Sequence, residues 1–191
     1  MDTIENLMNI PVIDDSTNFW MVRAKRGFFF NEYIRNCFIA IGWNSINESV
    51  IKKGITPKKE KALKEMIKNQ YGEKLPGTAL NKCLKFYNKV KPGDIAMIVD
   101  RHRIAFATIG DYYEEENPKL TVDFEKQVHK EIENAHIGEA SFDCPYIKRR
   151  KINILRILSE DSNISPYLFK AMAVNRHSLS DLNEYAEINT Q

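Results

Sequence analysis

Motifs that carry known chemistry are what this sequence most conspicuously lacks. Its three cysteines, Cys37, Cys83 and Cys144, stand far apart with no CxxC pair. An odd set of scattered thiols reads as reduced cysteine in a cytosolic protein, not as a disulfide frame. The four histidines, at positions 102, 129, 136 and 177, are equally dispersed, so the paired spacing of a structural zinc site is missing. No P-loop, GxSxG or HExxH pattern occurs, which removes the motif-bearing nucleotide hydrolases, serine hydrolases and zinc proteases. We therefore expect no metal, no cofactor and no catalytic residue in this chain. Its apolar runs all fall short of the roughly 20 residues a membrane span requires. The acidic opening Met1-Asp2-Thr3-Ile4-Glu5 also lacks the basic and apolar regions of a secretory signal. The expectation is a soluble cytoplasmic protein without a membrane partner. There is no repeat, low-complexity tract or convincing linker, so residues 1–17 read as a lead-in segment and 18–191 as one domain.

What is present suits a folded domain. The chain has 191 residues, 43% of them hydrophobic and 28% charged, enough to bury a substantial core. Ten Phe and eight Tyr supply flat side chains for that core or for stacking. The net charge of +2 hides a strong segregation. Residues 52–91 hold twelve Lys against three Glu, and residues 111–143 hold ten acids against three Lys. Lys148-Arg149-Arg150-Lys151 then restores positive charge. One basic surface facing a polyanion and an acidic surface facing away would produce this pattern; two solvated faces in balance would as well.

Local signals place the elements. Phe19–Ala24 is rich in β-formers, and a Lys25-Arg26-Gly27 turn leads to a short helix around Asn31–Arg35. Residues 37–41 read as a buried strand. Thr56-Pro57 opens a Lys/Glu-rich helix to about Gln70, which Gly72 stops. A second helix follows Pro76-Gly77-Thr78, with Leu80, Leu84 and Tyr87 on one face. The Lys91-Pro92-Gly93-Asp94 turn introduces strands at 95–99 and 103–113, joined by Asp100-Arg101-His102. Residues 121–133 are expected as a strand with acids toward water, and Pro145–Leu158 as a long, central one. Helices are expected over Ser165–Met172 and, after the capping pattern Ser178…Asp181, over Leu179–Ile188.

Four segments in fixed order carry more information than any of them alone. They are Asn18-Phe19-Trp20-Met21-Val22-Arg23-Ala24, Ile39-Ala40-Ile41-Gly42-Trp43-Asn44, Val90-Lys91-Pro92-Gly93-Asp94-Ile95-Ala96-Met97-Ile98-Val99, and Ile104-Ala105-Phe106-Ala107-Thr108-Ile109-Gly110-Asp111-Tyr112-Tyr113. Their order resembles the PUA-like superfamily, the group holding EVE and YTH domains. More narrowly, it resembles the modified-DNA-reading domain at the N-terminus of Mrr-like restriction endonucleases. The resemblance covers roughly residues 17–190. It implies an α+β fold, a PUA-like curved β-barrel with flanking helices. It also implies a binding module that flips a modified DNA base into an aromatic pocket, as the specificity part of a modification-dependent restriction or phage-defence system. The implied partners are modified double-stranded DNA and a fused or separate nuclease domain, of which this chain would be the reading fragment.

Carried over by position, the resemblance puts the pocket at Arg23 and Ala24 and at Trp43 and Asn44. Gly42 gives close backbone approach, and Phe28 and Tyr33 complete a wall. Tyr112 and Tyr113 match the family's strand ending loosely, because a second Gly usual there is missing. Adjacent strand residues face opposite ways, so at most one of the two Tyr lines a given pocket. Competing roles stand beside these. Trp43 suits a plug of the barrel end, Trp20 the core, and Arg23 a partner for a buried carboxylate such as Asp94. Asp94 itself suits bonds to turn N–H groups. For phosphate contacts the residues themselves nominate Lys58, Lys59 and Lys61, near a positive helix end, and Lys148, Arg149 and Arg150. Solvated i,i+4 pairs such as Glu60–Lys64 are the plainer use of that helix. The rival functions are a modified-base RNA reader, a metal-dependent nuclease using Asp123 and Glu125, and an interaction module whose aromatic cavity is filled by its own side chains.

Overall fold

The computed structural model of the protein describes residues 16–100, 102–135, 145–159 and 178–183. The lead-in before Ser16, the expected helix over Ser165–Met172, and Cys144 lie outside them. The fold is α+β, with a six-stranded sheet and helices among the described residues. The strands are β1 (Phe19–Val22), β2 (Phe38–Ala40), β3 (Ile95–Val99), β4 (Ile104–Glu114), β5 (Lys148–Leu158) and β6 (Leu179–Asp181). Their order across the sheet is β2-β5-β4-β3-β1-β6. The helices are α1 (Phe30–Asn36), α2 (Glu48–Lys52), α3 (Pro57–Tyr71), α4 (Pro76–Asn88) and α5 (Val122–Ala135).

The chain divides into two compact units, each built from separate stretches of sequence. The first comprises residues 1–37, 91–111 and 151–191. Here β3, with every side chain buried, lies between β1 and β4. It runs parallel to β1 (Met21 opposite Met97) and antiparallel to β4 (Met97 opposite Phe106). A parallel pair needs a long crossover, and residues 23–94 supply it. Met21, Met97, Val99, Ile104 and Leu182 form a buried apolar cluster, with Phe19 and Phe106 packed against it. The β3–β4 connection is closed by Asp100, whose Oδ1 accepts from His102 N and Arg103 N while Oδ2 binds the Arg103 guanidinium at 2.6 Å. Only glycine fits at Gly27, which has φ +89° and whose Cβ would lie 2.4 Å from Asp100 Cα.

The other side of β1 carries Trp20, buried as expected, and Trp20 Nε1 donates to Asp94 Oδ2 at 2.8 Å. Asp94 also accepts from Asn18 N, Asn18 Nδ2 and Lys91 N. It therefore fixes the turn, as its position suggested, and ties the turn to the start of β1. One expectation in this unit is corrected. Leu179–Asp181 is a strand, not the first turn of a helix, and pairs antiparallel with β1 from Val22–Leu179 to Trp20–Asp181. The open edge of β1 explains this, because its unpaired N–H and C=O groups demand a partner. Arg23 N donates to Ser178 O and Leu182 N to Phe19 O. The capping signal acts after the strand, where Asp181 Oδ1 accepts from Asn183 N. Residues 184–188 of the expected helix lie outside the described residues.

The second unit comprises residues 38–90 and 112–150. Helix α3 starts where Thr56 and Pro57 placed it, with Thr56 Oγ1 accepting from Lys59 N, and ends at Gly72 in the left-handed region. Leu63, Ile67 and Tyr71 form its buried stripe. Helix α4 begins at Pro76, and its buried face is Ala79, Leu80, Cys83 and Phe86. That face is rotated from the expected Leu80-Leu84-Tyr87 line, of which only Leu80 is fully buried. Residues 122–135 are a helix, which corrects the expected strand. Phe124 and Val128 are buried one helical turn apart while Asp123, Glu125 and Glu131 face water. That four-residue period outweighs the β-tendency of Val and Phe.

Candidate nucleic-acid interface

In the second unit the loop between β2 and α2 holds Gly42, Trp43 and Asn44, and polar contacts fix it on several sides. Asn44 clamps it to the lead-in of β5, donating to Pro145 O at 3.0 Å and accepting from Ile147 N at 3.1 Å. Its amide therefore serves the loop, where the resemblance implied a base contact. Ser45 N donates to the Tyr71 hydroxyl, and Ser45 Oγ to Gln70 Oε1, which anchors the loop on the end of α3. Ile46 N and the Lys148 ammonium both donate to the carbonyl of Trp43.

These restraints hold Trp43 at φ +60°, a left-handed conformation that costs a bulky residue about 1–2 kcal/mol. The residue as a whole is partly exposed. The indole Nε1 donates to Glu73 Oε1 at 3.2 Å, and the Lys82 ammonium lies 5.7 Å from the ring centroid. Burial pushes the Lys82 ammonium below its ordinary pKa, against the opposing pull of Glu73. The Trp43 indole of the loop thus meets a carboxylate that precedes α4 and a half-buried cation on α4. Glu73 and Lys82 had no readable signal, since nothing in a Lys-rich segment marks which side chain turns inward.

Tyr112 belongs to a different cluster of this unit. It packs edge-on against Tyr87 with centroids 4.9 Å apart, and its hydroxyl donates to Glu114 Oε1 at 2.7 Å. Burial, reinforced by that bond, pushes its phenol well above the ordinary tyrosine value. Glu114 also accepts from the Glu48 backbone N–H at 2.6 Å, at the start of α2. Glu48 in turn accepts from Tyr87 Oη and pairs with Lys52, which together lower its pKa. Tyr113 is partly exposed and, as the next strand residue, points the other way.

The cations named for phosphate divide sharply. Lys58 and Lys61 are exposed on α3. Lys59 is engaged, its ammonium donating to Val50 O at 2.6 Å and Gly54 O at 2.8 Å, so it fastens the end of α2. Lys148, Arg149 and Arg150 are only 0%, 6% and 3% exposed, which removes them from any surface contact with a phosphate chain. Their neighbours supply the reason. Arg150 donates to Phe86 O and Tyr87 O, carbonyls of the last turn of α4 where cations are favoured. Arg149 donates to Tyr146 O and lies 4.2 Å from the Phe38 ring centroid. Lys148 holds the Trp43 carbonyl. The buried part of β5 is accordingly its basic start, not the apolar second half, where Ile157 is 47% exposed.

In the first unit, Ala24 opens a tight turn, Ala24–Gly27, in which Lys25 and Arg26 are also left-handed. Phe28 packs edge-on against Phe29 at 5.7 Å. Tyr33 is stacked on Phe29 and 1% exposed, so it is core and not an open wall. Arg23 is partly buried, and the Asp94 carboxylate is occupied by Asn18, Trp20 and Lys91 instead. The named residues therefore fall into two groups, Arg23, Ala24, Phe28 and Tyr33 in one unit and Gly42, Trp43, Asn44, Tyr112 and Tyr113 in the other. Asp123 and Glu125 stand exposed on the first turn of α5. Among the described residues no group of three or more His, Cys, Asp or Glu is arranged to hold a metal ion, and no helix is long and apolar enough to cross a membrane. Comparison with protein-family models, curated proteins and solved structures found no match.

Proposed function

We propose that this chain binds nucleic acid and reads a modified base of duplex DNA at Trp43. The observation that carries the reading is Trp43, a partly exposed residue fixed on a left-handed backbone beside Lys82 and Glu73. A mark on a stacked base offers little edge to grip, so a reader takes the base out of the helix. Unpairing costs a few kcal/mol, and stacking on an aromatic ring returns about 1–3 kcal/mol. In this reading the flipped base stacks on the indole beside the Lys82 ammonium, which lies 5.7 Å from its centroid. The Glu73 carboxylate is the acceptor for an exocyclic amine, and exposed Lys58 and Lys61 meet the phosphates. The order of the four strand segments and its likeness to PUA-like readers support the same assignment. In this reading the chain selects the target, and a nuclease domain or subunit of a restriction or defence system cuts it.

The test is fluorescence-anisotropy titration of short duplexes, unmodified and carrying each common modified base, at moderate and high salt, with single-stranded DNA and RNA of the same sequence alongside. Tighter binding to one modified duplex that survives high salt supports the reading. Equal binding to all duplexes that vanishes with salt would leave only backbone contact, and preference for the modified RNA would make the chain an RNA reader.

A further inference from the structure

Among the described residues of the first unit, three buried side-chain polar atoms have no hydrogen-bond partner: Arg23 Nε, Ser178 Oγ and Ser180 Oγ. The β1–β6 ladder brings them to one face. Met21 stands opposite Ser180 and Val22 opposite Leu179, and Arg23 N donates to Ser178 O at 3.0 Å. Directly opposed residues share a face, as do residues two apart on one strand. Arg23, Ser178 and Ser180 therefore stand together on the Met21 side. Opposed side chains there are separated by about 5 Å and successive ones by about 7 Å. A buried donor left unpaired is destabilising, and three on one face call for a shared partner.

Charge indicates what that partner is. The acid on these two strands is Asp181, which pairs opposite Trp20 and so lies on the other face. Lys25 and Arg26, both exposed, follow Arg23 within three residues. We infer that Arg23, Ser178 and Ser180 form a binding site for a small tetrahedral oxyanion of the phosphate class. The guanidinium supplies charge and a donor, and the two hydroxyls donate to further oxygens. Because each of the three atoms is shielded from solvent, the ligand is a free anion or a terminal phosphate group and not the backbone of a duplex. The site is independent of the Trp43 reading.

Thermal unfolding of the whole chain in sodium phosphate, against sodium chloride at equal ionic strength, tests the assignment. Native protein gains stability with phosphate along a saturating curve. Ser178→Ala and Ser180→Ala, which remove hydroxyls without protein partners, unfold near the native temperature in chloride but require about tenfold more phosphate for the same gain. Arg23→Gln responds more weakly still. A nucleoside 5′-monophosphate as second probe separates the sources: half-saturation below that of inorganic phosphate assigns a terminal phosphate, and above it a free anion. The inference is overturned if phosphate stabilises the native chain no more than chloride does, or if both serine variants respond as the native chain does.

Discussion

Replacing Trp43 by glycine separates what the residue does for the fold from what it does for binding. The left-handed backbone at φ +60° costs any residue with a Cβ about 1–2 kcal/mol, and glycine nearly nothing. Against that relief stand the cation–π contact with Lys82, about 0.5–1 kcal/mol at a partly exposed site, and the Nε1–Glu73 bond, about 1 kcal/mol. Lost packing and the greater freedom of glycine in the unfolded chain add to the loss. Trp43→Gly should therefore unfold within about 2 kcal/mol of the native chain. Trp43→Ala keeps the strain and should be less stable than the glycine variant by roughly 1 kcal/mol. On the binding side both variants lose the stacking surface, about 1–3 kcal/mol. Preference for the modified duplex should fall roughly 5- to 150-fold. Urea unfolding and anisotropy titration on the same preparations read both effects. If the glycine variant is no more stable than the alanine variant, the loop does not hold Trp43 in a strained state. If either variant keeps full preference for the modified duplex, Trp43 does not stack on the base.

Four further outcomes are expected. Lys58→Met and Lys61→Met should each reduce the slope of log affinity against log salt by about 1 with unfolding unchanged. Lys59→Met should instead lose about 1–2 kcal/mol of stability, because its ammonium serves Val50 O and Gly54 O; a stability equal to that of the other two variants would refute the distinction. Asp94→Ala strands the Asn18, Trp20 and Lys91 donors and should lose about 3–5 kcal/mol in urea unfolding, and a loss under about 1 kcal/mol would show that water replaces the carboxylate. The phenol of Tyr112 is raised by burial above its ordinary 10.0. Its contribution is complete below that pH, where both states keep the proton, and is lost as pH rises and the unfolded chain ionises first. Stability should fall above pH 10, and Tyr112→Phe should flatten that part of the profile, measured by urea unfolding across alkaline buffers.

How far the sequence could be read depended on how local each signal was. Thr56-Pro57 and Gly72 delimited α3 because a cap and a stop act within one turn of the chain. Asp94 was legible for the same reason, its turn being written in Pro92-Gly93-Asp94. Residues 122–135 were misjudged because Val122 and Phe124 suit a strand locally, whereas the helix is set by burial of Phe124 and Val128 together. Leu179–Asp181 became a strand through a partner 157 or more positions earlier, the open edge of β1, and no window of sequence contains that partner. Within the candidate site Trp43 was visible from its place after β2. Its left-handed backbone was not, because Asn44 is clamped to residues 145–147 and the Trp43 carbonyl to Lys148, both about a hundred positions away.

The same contrast decides which positive charge can meet a polyanion. Lys148, Arg149 and Arg150 form the densest basic cluster by sequence, yet the fold commits all three inward, to backbone carbonyls and aromatic faces. A desolvated cation with fixed partners cannot turn to a phosphate without leaving those carbonyls unpaired, a cost larger than one solvent-screened phosphate contact returns. In the Lys-rich block, Lys59 is likewise spent on carbonyls, and Lys82 is half-buried against Trp43. Exposed lysines remain at positions 52, 53, 58, 61, 68, 74, 85, 89 and 91, Lys52 of them paired with Glu48. Salt dependence of binding should accordingly follow α3 and α4 and ignore β5. If Lys58→Met and Lys61→Met leave the salt slope at its native value, α3 does not face the nucleic acid, and the proposed phosphate contacts must be abandoned even if Trp43 proves to bind a base.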